Sequence, residues 1–219
     1  MGNNSKMQIR NASPEDASFL AKAILIAGRA HVKKGIWEVI LGGTEEECEG
    51  FLHHISITQI PHLFHYSYYL IAEEDGIGPI GCLGGYNPRI SGYQALRQAI
   101  PEVVRKLNLP AQASKDSEER SSRILACLPK EIDGAWVIDS LATLPEQRGK
   151  GAAENLLNKI LEKGKKQGHP KAQVNMYIGN KPALNLYRKF GFEIIEENRD
   201  EYFEEKIGSP GMLSLARDL

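Results

Sequence analysis

The sequence predicts an α/β fold in which a mixed, mostly antiparallel sheet is flanked by helices. Three segments carry this prediction: a strand–turn–helix unit over 135–166, a β-hairpin over 66–86 and a closing antiparallel pair of strands over 192–217. The chain has 219 residues, of which 42% are hydrophobic and 25% are charged, as is ordinary for a globular protein with one core. We therefore expect a single domain over 1–219.

The N-terminal segment predicts a strand followed by two helices. Residues 8–10 form the short strand. The first helix should begin at Ser13, because this N-cap residue precedes Pro14 in the first turn. Thr44, followed by three glutamates, marks the start of the second helix. Glycines between the two helices indicate a connecting loop: Gly35, Gly42 and Gly43.

A β-hairpin is predicted next. Two strand-like runs, 66–72 and 80–86, flank a polar turn at 73–76. The glycines at 76, 78 and 81 match the spacing of a dinucleotide-binding loop, but no helix follows them. A hairpin turn is therefore the better interpretation.

A long excursion separates this hairpin from the next strand. Residues 87–134 contain a helix-like stretch at 93–107, interrupted at Pro101, and a weakly patterned one at 116–128. Connections of this length usually have a function or are mobile. The sequence therefore predicts a helical insertion between the third and fourth strands, which forms either a lid over a binding site or a contact within a homodimer.

The strand–turn–helix unit has the composition of an anion-binding site. An apolar run over 135–144 ends at Pro145, and a helix with an apolar stripe follows from Ala153. The first-turn amides of a helix lack partners within it, and the helix dipole favours a negative group there. Two glycines leave the intervening backbone accessible and two basic residues add charge: Gly149, Gly151, Arg148 and Lys150. This turn should bind phosphate.

Two common phosphate-binding loops are excluded by single residues. A P-loop would need glycine where the chain has Leu144, and a hydroxyl residue where it has Gly151. A dinucleotide-binding loop would need glycine where the chain has Glu154. The pattern that remains is Arg-x-x-Gly-x-Gly/Ala, formed by Arg148, Gly151 and Ala153.

A second block follows the pattern Asn-x-x-Ala-x-x-Leu-Tyr-x-x-x-Gly-Phe, formed by Asn180, Ala183, Leu186, Tyr187, Gly191 and Phe192. Together the two blocks, within 135–192, resemble the coenzyme A loop and a later helix of the GNAT-type N-acetyltransferase superfamily. The resemblance implies acetyl-CoA as the cofactor and an amine acceptor, either a small molecule or a peptide. It also implies a sheet splayed between the fourth and fifth strands, where the pantetheine arm enters, and direct acetyl transfer in a ternary complex. A non-catalytic acyl-CoA-binding regulatory module is the alternative function.

The resemblance assigns three segments to cofactor binding. The strand contributes Leu141 and Thr143, and the later helix contributes Asn180, which can also cap that helix. The turn contributes Arg148, Gly149, Lys150, Gly151, Ala152 and Ala153.

Two residues are candidates for acid–base catalysis. Asp139 is a charge inside an otherwise apolar strand, where burial would raise the pKa of the carboxyl group and suit it to accept the proton of the amine. A structural, hydrogen-bonded aspartate is the alternative. Tyr187 stays protonated at neutral pH and can donate to the departing thiolate, which is the role that the resemblance implies. The alternative for Tyr187 is packing on the apolar stripe of its helix.

Charge and composition argue against several classes of partner. The net charge of −1 disfavours general nucleic-acid binding, and no stretch is long and apolar enough to suggest a membrane span. The start of the chain lacks the apolar segment of a signal peptide, so we expect a cytoplasmic protein. The cysteines and clustered histidines lack metal-ligand spacing, so we expect no metal site: Cys48, Cys82, Cys127, His53, His54, His62 and His65.

Overall fold

A computed structural model describes residues 7–219, which form one sheet of seven strands. The strands are β1 (Met7–Asn11), β2 (Tyr69–Glu74), β3 (Gly78–Tyr86), β4 (Trp136–Thr143), β5 (Lys171–Tyr177), β6 (Glu193–Arg199) and β7 (Gly211–Asp218). Their order across the sheet is β1-β2-β3-β4-β5-β7-β6. All neighbours are antiparallel except β4 and β5, which are parallel. The predicted mixed, mostly antiparallel sheet is confirmed.

Helices cover both faces of this sheet. They are α1 (Ala17–Arg29), α2 (Ile36–Leu41), α3 (Glu45–Ile55), α4 (Pro88–Ser91), α5 (Tyr93–Lys106), α6 (Ala111–Leu125), α7 (Ala152–Lys166), α8 (Lys181–Lys189) and α9 (Glu201–Ile207). Helices α1 and α3 share a core with Tyr69 and Ile71, whereas α7 shares a second core with Leu70 and Trp136. Because successive side chains of a strand point to opposite faces, the central strands are buried on both sides. Within 7–219, no helix combines the length and hydrophobicity that crossing a bilayer requires.

The helical insertion predicted between the third and fourth strands is confirmed. It contains α4, α5 and α6. Helix α5 buries Ala99 and Val103 in the core formed by α1 and α3, and α6 buries Ile124 beside α9. The predicted interruption at Pro101 is wrong, since α5 runs through this residue. Burial of the neighbouring apolar face outweighs the local cost of a proline in a helix, about 3 kcal/mol.

Three local boundaries also differ from the prediction. Helix α2 occupies the segment expected to be a loop, and the carboxylate of Glu38 fixes its start by accepting a hydrogen bond from the Gly35 N–H at 2.8 Å. Helix α6 begins at Ala111 rather than at position 116. Glu73 and Glu74 belong to β2 rather than to the hairpin tip, because they pair with β3. Each difference involves a short segment in which the hydrophobic periodicity is too weak to predict the secondary structure.

Candidate active site

A cavity of about 2080 Å³ runs between the sheet and the insertion. Its wall is formed on one side by β4, β5, the start of α7 and α8, and on the other by α2, α5 and α6. Most small-molecule pockets occupy roughly 300–1,000 Å³. This cavity therefore has room for a long ligand together with a second molecule.

The turn predicted to bind phosphate lines the cavity. Gly149 and Gly151 have φ angles of +81° and +84°, a left-handed conformation that glycine adopts without steric cost. No side chain caps the start of α7, whose first internal hydrogen bond joins the Asn155 N–H to the Gly151 carbonyl at 3.0 Å. The amides of Ala152 and Ala153, which precede this bond, are available to an anion.

Strands β4 and β5, which both line the cavity, separate from each other after a short pairing. Their pairing runs from Trp136 opposite Ala172 to Ile138 opposite Val174 and ends there. Immediately afterwards β4 contains a bulge, in which two residues face one residue of β3, and Ser140 adopts a φ angle of +56°. Bulges bend a strand and increase its twist. The bulge therefore turns β4 away from β5 and opens the sheet where a splay was predicted.

Asp139 lies directly before this bulge. Its carboxylate is half-buried, lines the cavity and accepts a hydrogen bond from the Ser140 hydroxyl at 2.9 Å. Burial raises the pKa of Asp139 above the usual value for an aspartate, and no lysine or arginine opposes this effect. The carboxylate is thus a stronger base than an exposed aspartate.

Tyr187 on α8 lines the same cavity. Its ring is 5% exposed and packs edge-on against Phe192, with ring centroids 5.6 Å apart. Burial raises the pKa of the Tyr187 phenol, and the negative charge of Asp139 raises it further. Within residues 7–219, its hydroxyl has no hydrogen-bond partner. Tyr187 therefore packs on its helix stripe and also keeps a protonated hydroxyl available at the cavity.

Several solved structures with this fold are described as acetyltransferases. A crystal structure described as an acetyltransferase has a TM-score of 0.69 and 20% identity, covering 96% of this chain and 98% of its own. An N-acetyltransferase from Staphylococcus aureus Mu50 has a TM-score of 0.67 and 21% identity, covering 96% and 100%. The NatC complex bound to Gag peptide and CoA has a TM-score of 0.53 and 14% identity, covering 98% and 99%.

The sequence itself carries the same signature. Residues 118–192 match the model of the acetyltransferase (GNAT) family. The matched segment contains β4, α7, β5 and α8, which carry Asp139, the phosphate turn and Tyr187. The resemblance noted from its two sequence blocks is thereby confirmed.

Most of the residues predicted to bind the cofactor line the cavity: Leu141, Thr143, Arg148, Gly149, Gly151, Ala152, Ala153 and Asn180. The Arg148 side chain is exposed and its Nε donates to the Thr143 carbonyl at 3.4 Å. Asn180 caps α8, as predicted, by accepting a hydrogen bond from the Ala183 N–H at 3.3 Å. The cap leaves the amide group of Asn180 free to donate to a ligand.

Lys150 differs from the other residues of the turn, because it does not line the cavity. Its ammonium group lies 3.2 Å from a carboxylate oxygen of Glu74 and 2.6 Å from the side-chain oxygen of Gln147. These contacts direct the charge of Lys150 toward the hairpin. A direct role for this residue in phosphate binding stays a prediction that the geometry does not favour.

Two residues of the site were missed from the sequence. Ser140 forms the bulge, for which the only signal was a pair of polar residues within an apolar strand. Glu131 lies in the loop between α6 and β4, lines the cavity and accepts a hydrogen bond from the Tyr86 hydroxyl at 3.4 Å. A glutamate in a loop gives no local signal of such a position.

Among the clustered histidines, His62 is part of the buried core. His62 is fully buried and hydrogen-bonded to the Thr58 hydroxyl and to the Ile55 carbonyl, both at 3.1 Å. Burial lowers the pKa of His62 to about 4, so this side chain is neutral at physiological pH. Within residues 7–219, no group of three or more His, Cys, Asp or Glu side chains is arranged to hold a metal ion.

Proposed function

We propose that this protein transfers an acetyl group from acetyl-CoA to a primary amine by direct attack within a ternary complex. The observation that carries the proposal is that one cavity joins an anion-binding turn at the start of α7 to Asp139 and Tyr187 beside the gap between β4 and β5. The NatC complex, which shares the fold, was solved with CoA, and this supports coenzyme A among the phosphate-bearing ligands.

The residues at the cavity fit such a cofactor. The uncapped amides at the start of α7, with the open backbone at Gly149 and Gly151, would hold the diphosphate. Beyond Ile138, the edge of β4 that faces β5 has no strand partner, so its backbone groups would bond the amides of the pantetheine arm. When bound, acetyl-CoA supplies an activated thioester.

Asp139 makes the acceptor amine reactive. An alkylamine with a pKa of about 10.4 is neutral at pH 7 in only about one molecule in 2,500. The half-buried carboxylate of Asp139 accepts the excess proton, and its raised pKa suits it to that task. Binding both reactants in one cavity supplies a further part of the rate, since positioning is worth about 7–11 kcal/mol in well-oriented reactions.

Tyr187 protonates the leaving thiolate. Because the charge of Asp139 raises the pKa of Tyr187, neutralising that carboxylate makes the phenol a stronger acid. Asp139 becomes neutral when it takes the proton of the amine, so Tyr187 gains acidity when the thiolate departs. The first amine proton thus ends on Asp139, and the phenol proton ends on the thiol. The second N–H proton, which the nitrogen loses as the amide forms, restores the Tyr187 phenol, and Asp139 returns its proton to solvent.

The test measures release of free thiol from acetyl-CoA in the presence of a panel of primary amines. Thiol release that requires an amine, together with mass-spectrometric detection of the acetylated amine, is the expected result. Thermal stabilisation by coenzyme A without turnover on any amine would instead support the non-catalytic regulatory module.

A further inference from the structure

Two carboxylates that line the cavity lack a positive partner. Asp139 and Glu131 line the same cavity from different elements, one from β4 and the other from the insertion. The hydrogen bonds to these carboxylates come from Ser140 and from Tyr86, respectively. Within residues 7–219, neither forms an ion pair. Glu131 is exposed as a residue, but partial desolvation and the charge of Asp139 both raise the pKa of its carboxyl group. A bound cation would relieve this repulsion.

The surroundings of the two carboxylates also favour a cation. Four tyrosines line this part of the cavity, and the charge of Asp139 acts on each of them: Tyr86, Tyr93, Tyr177 and Tyr187. Aromatic faces attract ammonium groups. Arg97 and Arg105 line the cavity from α5, but both are exposed and neither contributes to the pKa of the two carboxylates.

The loop that carries Glu131 is held in place by one buried side chain. Gln173 on β5 is fully buried, and its amide accepts a hydrogen bond from the Ile132 N–H at 2.7 Å and donates one to the Lys130 carbonyl at 2.8 Å. The same amide donates to the Ser214 hydroxyl at 2.9 Å. The backbone on both sides of Glu131 is therefore fixed to the sheet, which limits the positions that its exposed side chain can reach.

We infer that Glu131 binds a second positive charge on the acceptor, so that this protein selects amines that carry another cationic group, such as α,ω-diamines. This inference rests on the proposed function, in which Asp139 receives the proton of the reacting amine. Glu131 then holds the distal ammonium group through a charge-assisted hydrogen bond, and the apolar and aromatic wall contacts the methylene chain. Glu131 is a specificity-determining residue that takes no part in the proton transfers.

The test compares each α,ω-diamine of three to six methylenes with the n-alkylamine in which a methyl group replaces the second ammonium. The wild-type protein should show a kcat/KM for the best diamine that is about tenfold or more above its matched alkylamine. Glu131→Gln should remove most of this preference while changing kcat/KM for the alkylamine less than about twofold. Asp133→Asn is the matched control, because its carboxylate lies in the same loop and is exposed like that of Glu131, but it pairs with Arg89 and does not line the cavity. That variant should keep the diamine preference.

Calorimetric binding of the same amines to the protein saturated with coenzyme A separates this inference from the proposed function. Equal kcat/KM for diamines and alkylamines, unchanged in Glu131→Gln, would overturn the inference and leave acetyl transfer standing. If no amine is acetylated, the proposed function is wrong, and calorimetry alone then tests whether Glu131 binds a cation. Diamine binding that Glu131→Gln abolishes would support the cation site, and diamine binding no tighter than that of the alkylamine would refute it.

Discussion

Replacing Tyr187 by phenylalanine should impair catalysis without affecting the fold. The hydroxyl of Tyr187 has no partner within residues 7–219, and the packing of its ring on Phe192 survives the change. We expect the free energy of unfolding to change by less than about 0.5 kcal/mol. Removing a general acid typically costs 10²–10⁴ in rate, so kcat should fall by about 10²-fold, with little change in the KM for acetyl-CoA.

Tyr177 supplies a matched control with the opposite expected behaviour. It lines the same cavity, but its hydroxyl donates to the Gly28 carbonyl at 2.7 Å and accepts from the Ile36 N–H at 3.1 Å. Tyr177→Phe leaves both backbone groups without this partner, at a cost of about 1–2 kcal/mol. The Tm should therefore fall by roughly 2–8 °C, while the chemical step keeps its proton donor.

Thermal unfolding and thiol-release kinetics on the two variants test this reasoning. The expected pattern is a catalytic defect in Tyr187→Phe alone and a stability defect in Tyr177→Phe alone. Tyr187→Phe with wild-type kcat would reduce Tyr187 to a packing residue. A loss of stability in that variant as large as in Tyr177→Phe would show that its hydroxyl has a structural partner.

Three further perturbations address the turn, the base and the buried amide. At 100 times its Kd, coenzyme A should stabilise the protein by about 2.7 kcal/mol, or roughly 5–10 °C in Tm. Gly151→Val should abolish this shift. Gly168→Val is the control and should keep the shift, because Gly168 has a similar φ angle of +83° but lies beyond the other end of α7. Equal shifts in the two variants would contradict the assigned turn. Asp139→Asn should remove the rise of kcat/KM with pH. Folding raises the pKa of Asp139, so the stability of the wild-type protein falls as the pH rises through that pKa. The Tm of the variant should not show this fall. A variant with an unchanged pH profile would exclude Asp139 as the base. Gln173→Leu should destabilise the protein by about 1–3 kcal/mol in urea, because the Ile132 N–H and Lys130 carbonyl lose their partner; a loss below about 0.5 kcal/mol would argue against the buried bonds.

The parts of the fold that the sequence predicts are those set by local chemistry. The apolar run before Pro145, the glycines of the turn and the stripe of α7 specify strand, turn and helix within about thirty residues, and the structure has all three. The hairpin was recognisable for the same reason, since its strands and its turn are contiguous in the chain.

What the sequence did not predict depends on contacts between distant residues. Ser140 adopts a left-handed φ angle without being glycine, because pairing with β3 imposes a bulge there. Lys150 is drawn from the phosphate turn by Glu74, which lies 76 positions earlier in the chain. Glu131 lies at the cavity because Gln173, which is 41 positions after Ile132, holds its loop. No periodicity or motif encodes such pairings.

The short pairing between β4 and β5 divides the sheet into two blocks of strands. Strands β1 to β4 form one continuous antiparallel block and β5 to β7 form another, yet only three residue pairs, from Trp136–Ala172 to Ile138–Val174, join them. Side chains of both blocks also meet in the core beneath α7. Apolar packing is not directional, so it tolerates small rotations that a full hydrogen-bonded ladder would resist. The junction of β4 and β5 can therefore act as a hinge. A ligand that lies along this junction would hold the two blocks together. Backbone amide hydrogens of β4 and β5 next to the junction should then exchange more slowly when the cavity is filled.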